Sequence, residues 1–193
     1  MEADVSRESN LFDFFHGHVD RAERDLDLGL DDDVRLYLAQ LLAERARTDR
    51  DAPEAHTLVE LHARAAHAPP SGQATTYREL GDRSLYLVGY FPENVERRAV
   101  TTAYYKSMGA AAYGRVDVVL KTWFRDAFGP VFAELAQRFE DCVAVLDRIR
   151  AEQESSPDPI ARLYARWLET GDPETADRLR RRGLLLPPRP ARA

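Results

Sequence analysis

The sequence predicts an all-α protein: a compact, single-domain multi-helix bundle of about seven or eight helices over 1–193, with its core over about 9–183 and a flexible tail over 184–193. Three observations carry that expectation. Apolar residues recur every three or four positions through most of the chain, the spacing that lines one side of a 3.6-residue helix. Proline, glycine and aspartate punctuate the periodic stretches where helix ends need them. A chain of 193 residues also suits one hydrophobic core, which divides only beyond roughly 250–300 residues.

A first helix is expected from Asn10, a residue type suited to cap it, through Leu11, Phe12, Phe14, Phe15 and Val19 to about Gly29. Asp31, Asp32 and Asp33 open a second helix, where carboxylates accept from free N–H groups and face the positive dipole end; Leu36, Leu38, Leu41 and Leu42 form its buried side. Pro53 is placed at the first position of a third helix reaching about Ala68, and Pro69-Pro70-Ser71-Gly72 reads as a loop. Thr75–Tyr90 is ambiguous between helix and strand because of Leu85-Tyr86-Leu87-Val88, and helix is preferred: Tyr77, Leu80, Ser84, Leu87, Val88 and Phe91 recur at three or four, and a lone strand has nothing to pair with.

A long central helix follows from about Glu96 to Phe128, with Tyr105, Met108, Ala112, Val116, Val119 and Trp123 on one face. After Gly129-Pro130, one further helix buries Val131, Phe132, Leu135, Phe139, Val143, Leu146 and Ile149. Beyond the break at Ser155–Pro159 come two short helices joined at Gly171-Asp172-Pro173, with glycine just past one helix and proline at the start of the next.

The composition, 44% apolar and 31% charged, matches globular proteins and indicates neither a disordered nor a membrane class. No apolar run approaches the ~20 residues that cross a bilayer, and the acidic opening Met1-Glu2-Ala3-Asp4 lacks the basic start of a signal peptide, so a cytoplasmic location is expected. Cys142 is the single cysteine, which excludes an internal disulfide and a Cys-based zinc cluster. The net charge of −6 argues against non-specific nucleic-acid binding.

The census for catalysis is empty: no Gly-x-Ser-x-Gly elbow, no Gly-rich phosphate loop and no His-Glu-x-x-His occurs. No cofactor is expected. The Asp25–Asp33 stretch fails as a calcium loop, because Leu36 stands where a bidentate glutamate is required. Asp13 with His16, and His56 with Glu60, each share a helix face and are weak metal candidates that fall short of a di-iron ligand set.

The most unusual segment is Tyr104–Gly114, where Gly109 and Gly114 each cost a helix about 1 kcal/mol relative to alanine. The plain reading is a neighbouring helix packed closely over Ala110 and Gly114. The functional reading is a cavity walled by Tyr86, Tyr104, Tyr105 and Tyr113; Asp82 and Arg83 are read first as an ion pair fixing two helices and otherwise as polar contacts to that cavity. Arg178, Arg180, Arg181 and Arg182 make a basic end suited either to the helix dipole or to an acidic partner or nucleic-acid phosphate.

Leu80-Gly81-Asp82-Arg83-Ser84-Leu85-Tyr86, then Tyr104-Tyr105 with Met108-Gly109 and Ala112-Tyr113, and Leu163–Gly171, resemble a family of helical bacterial proteins with no assigned activity. The resemblance covers about Leu28 to Pro187. It implies one domain and a bacterial source, and it carries over no functional residue. The sequence therefore points to a non-enzymatic helical protein-interaction or regulatory module with a protein partner and an open question of homo-oligomer formation. The alternative is a small-ligand or metal-binding helical protein, possibly an enzyme, with a tyrosine-lined central cavity.

Overall fold

A computed structural model describes residues 2–47, 57–92, 101–124, 129–155, 159–181, 184 and 186. Every regular element among them is helical: α1 Glu2–Leu26, α2 Asp32–Arg47, α3 Leu58–His67, α4 Pro70–Tyr90, α5 Thr102–Val119 continued by a π-turn Leu120–Phe124, α6 Gly129–Gln137, α7 Phe139–Ser155, α8 Pro159–Thr170 and α9 Pro173–Arg181. The all-α expectation holds. No helix among the described residues is long and apolar enough to cross a membrane. The chain, expected as one domain, groups into two compact units, one of Met1–Gly29, Arg35–Pro53 and Arg148–Ala193, the other of Leu30–Val34 and Glu54–Asp147.

In the first unit α1 buries Leu11, Phe15, Val19 and Ala22, α2 buries Leu38, Leu41 and Leu42, and α8 buries Tyr164 and Trp167. Phe14 and Phe15 meet Tyr164 at ring-centroid distances of 5.3 and 6.0 Å. Charge then ties the helices at their rims: Arg35 on α2 reaches Asp20 on α1 at 3.2 Å, and Arg148 on α7 reaches Asp25 at 2.7 Å. The α1–α2 turn closes with Asp27 and Gly29 at positive φ (50° and 65°), and the Gly29 N–H donates to the buried Glu23 carboxylate at 2.7 Å. Leu36, expected inside, is 40% exposed.

In the second unit α4 packs on α3 and α5, and α5 on α6. Several helix ends differ from expectation, each for a local reason. Asn10 lies inside α1, which starts at Glu2. Pro53 and His56 fall outside the described residues; α3 starts instead after Thr57, whose hydroxyl accepts from Glu60 N–H while the Glu60 carboxylate accepts from Thr57 N–H, a reciprocal capping box. The expected Pro-Pro-Ser-Gly loop is the first turn of α4, with Pro70 at its start, where the missing N–H is no loss. Thr75–Tyr90 is helical as preferred. The single helix expected after Gly129-Pro130 turns at Arg138 and is two. Gly171 ends α8 at φ 64°, and Pro173 opens α9, as the spacing suggested.

The π-turn has a visible consequence. Trp123 lies four residues beyond buried Val119, a spacing that keeps an α-helical face, yet it is 65% exposed. Hydrogen bonding from i to i+5 adds a residue to the turn, slips the 3.6-residue phase and swings the indole out.

Candidate functional site

The second unit holds the residues singled out in the centre of the chain. Tyr113 on α5 is fully buried, and its hydroxyl donates to Asp82 Oδ1 on α4 at 2.8 Å. Arg78 Nε, one turn earlier on α4, stands 3.5 Å from Asp82 Oδ2. The Asp82 carboxylate is thus buried with two partners, which a charge in this position requires.

Glycines let these helices meet. A Cβ at Gly81 would lie 2.6–3.0 Å from the Tyr113 ring, and one at Gly109 would lie 2.7 Å from Phe139 Cε2 and 2.8 Å from Ser84 Cβ. A Cβ at Gly114 would meet only Ala136 Cβ, at 3.8 Å. The close crossing on α5 therefore centres on Gly109 instead of Ala110 and Gly114, and it reaches α4 and α7 together.

The proposed wall tyrosines are distributed among separate packing groups. Tyr86 stacks on Tyr90 at 5.6 Å and meets Phe91 edge-on at 5.2 Å. Tyr113 packs against Phe132 and Phe139, each at 6.0 Å. Tyr105 is buried and Tyr104 is 39% exposed, their rings 6.3 Å apart. Arg83 is buried. Asp82, Tyr105 and Tyr113 are thus core members, and of the six candidates Tyr104 presents the most surface.

An open groove of about 450 Å³ is formed by Thr102, Ala103, Lys106, Ser107 and Ala110 of α5, Ala136 and Gln137 of α6, and Phe139 and Glu140 of α7. Its floor is apolar and small. At one side Lys106 donates to the Glu140 carboxylate, and the Ser107 hydroxyl donates to the Tyr104 carbonyl at 3.2 Å. Sequence reasoning missed this groove, because α6 and α7 are expected as one helix and the break between them at Arg138 carries no proline or glycine.

The weak metal candidates are placed elsewhere. Glu60 is engaged in the α3 capping box, Asp13 is exposed, and His16 stacks on Phe12 at 5.6 Å with Asp20 3.8 Å from its Nε2. Among the described residues no group of three or more His, Cys, Asp and Glu side chains is arranged to hold a metal ion. Cys142 is fully buried, and burial first, then the charges of Asp141 and Glu134, push its thiol up to about 12. It is a core side chain without thiolate character.

In the first unit His18 Nδ1 faces Glu152 Oε2 at 3.7 Å. Burial and the Arg21 charge hold this imidazole below its ordinary value of 6.5, against the raising effect of Glu152. On α9, Arg178, Arg180 and Arg181 are exposed, with Arg180 paired to Asp177 at 2.7 Å; Arg182 lies outside the described residues. Asp172 stands just before this helix, and its carboxylate accepts from the Thr175 hydroxyl at 2.6 Å and from Thr175 N–H at 3.0 Å, which holds it below the usual carboxylate range.

No family model, no curated protein and no solved structure matches this chain.

Proposed function

We propose that this chain is a non-enzymatic protein-interaction module that receives a helix of its partner in the α5–α6–α7 groove. The observation that carries the reading is the lining: Ala103, Ala110 and Ala136 keep the floor low, while Phe139 and the Lys106–Glu140 pair bound it. Small side chains let a third helix approach two others closely, and an apolar floor with a polar rim suits the apolar face of an amphipathic helix. The polar residues suited to orient a small ligand support this by default, since Asp82 and Tyr113 satisfy each other in the core.

The test is a photo-crosslinking amino acid at Ser107 in the groove, with Val59 of α3, 62% exposed, as the control position. A discrete polypeptide adduct from Ser107, absent from Val59 and lost when Ala110→Trp or Ala103→Trp fills the groove, is expected. Equal adducts from both positions, or adducts that persist in both filled variants, contradict the reading.

A further inference from the structure

Resting on the groove reading above, we propose that the partner helix carries an acidic residue and runs on past the groove along the exposed face of α5 to Val118, where a carboxylate of the partner pairs with Arg115. Ser107, Ala111, Gly114 and Val118 follow one another at four, three and four residues, a spacing that keeps them on one face of α5. Ser107, Ala111 and Val118 are exposed and Gly114 is half-buried. The line starts in the groove, which Ser107 lines, and it adjoins α6 at Gly114, where an added Cβ would meet only Ala136 Cβ at 3.8 Å. The backbone there is open to close approach from outside the chain.

Two observations outside the groove point to what covers this line. Val118 is 54% exposed, and just beyond it the π-turn presents Trp123 at 65% exposed. An isolated exposed apolar side chain is ordinary, but Val118 extends a surface that is already apolar in the groove. The second observation is charge. Three cations stand between Thr102 and Phe124. Lys106 is matched by Glu140, and Lys121 by Asp117 at 2.8 Å. Arg115 is exposed, four residues from Ala111 and three from Val118, and it forms no ion pair among the described residues. A carboxylate on the occupant supplies for Arg115 what Glu140 and Asp117 supply for the two lysines, and a guanidinium fork favours that partner. One unmatched cation on a chain of net charge −6 is too little for a nucleic acid, whose binding rests on several phosphate contacts. From Ser107 to Val118 the face runs about 16 Å at 1.5 Å per residue, so the occupant is a helix of at least about three turns.

The test places the photo-crosslinking amino acid at Val118 of the full chain, in parallel with Ser107, in cells of the source organism, and maps both adducts by peptide mass spectrometry. Adducts on one helical segment of one polypeptide, about 11 residues apart, are expected. A synthetic peptide of that segment is then titrated against the purified full chain. Arg115→Glu, shown to be folded by circular dichroism, is expected to weaken binding about tenfold or more, since like charges brought together are costly; exchanging the facing Asp or Glu of the peptide for Arg is expected to restore it. A Ser107 adduct without a Val118 adduct, adducts on different polypeptides, or an Arg115→Glu chain that binds the peptide as the wild type does overturns this inference and leaves the groove reading standing. No polypeptide adduct at either position overturns both.

Discussion

The Tyr113 hydroxyl donates to the Asp82 carboxylate at 2.8 Å across the α4–α5 contact, with the tyrosine fully buried and the aspartate 7% exposed. This one bond turns two of the residues most suggestive of a ligand site into part of the core. Tyr113→Phe removes the donor and leaves a buried carboxylate with Arg78 at 3.5 Å. It is expected to lower unfolding free energy by about 1–3 kcal/mol, measured by urea denaturation with an unchanged slope.

The two central glycines of α5 are expected to respond in opposite directions. Gly109→Ala places a methyl 2.7 Å from Phe139 and 2.8 Å from Ser84, and overpacking of this kind costs about 1–3 kcal/mol. Gly114→Ala meets only Ala136 at 3.8 Å, so the gain in helix propensity, up to about 1 kcal/mol, is felt. Paired thermal melts of the two variants check this, and the same sign for both would refute the assigned crossing point.

His18 makes stability depend on pH in a definite direction. Its folded-state value is lowered from 6.5, chiefly by burial, so the unfolded chain binds the proton more readily. The contribution is fully present above pH 6.5 and is lost as pH falls from there through the folded value. The wild-type protein is expected to lose more stability than His18→Gln on acidification through that window, read from denaturation midpoints. Identical pH profiles would show that the imidazole titrates as it does in the unfolded chain.

Cys142, with its thiol pushed up to about 12 and no exposed surface, is expected to resist thiol reagents at neutral pH until the protein unfolds. Labelling with an aromatic disulfide reagent across a urea titration checks it: the reaction is expected to track the unfolding transition, and rapid labelling of the native protein would contradict the packing of α7.

Much of the helical architecture was legible in the sequence because periodicity and end signals are local. Tyr105, Ala112, Val116 and Val119 are buried on the face their spacing defines, and Gly171 and Pro173 mark their helix ends. What was not legible depends on competition between local signals or on tertiary context. Pro69-Pro70-Ser71-Gly72 carries loop composition, yet Pro70 is equally suited to the first position of a helix. Thr57 and Glu60 carry a capping-box signal three residues apart that competes with Pro53 as a helix start, and the cap wins. Trp123 left the buried face through a π-turn that has no sequence signature at that position. The groove depends on how α5, α6 and α7 come together and on which alanines line it, and neither is fixed by spacing. For the candidate site, Asp82 and Tyr113 were two of six residues singled out by the sequence, while their bond to each other across the α4–α5 contact required coordinates.

The most direct measurement of the central claim is the identity of what the Ser107 photo-crosslinker captures in living cells of the source organism. The account predicts one polypeptide joined through a helical segment, with the adduct mapped by peptide mass spectrometry to an amphipathic stretch of that partner and abolished by Ala110→Trp. A groove that captures no polypeptide, or a purified protein that retains a small molecule displaced by the same substitution, would contradict it and make the α5–α6–α7 groove a ligand site.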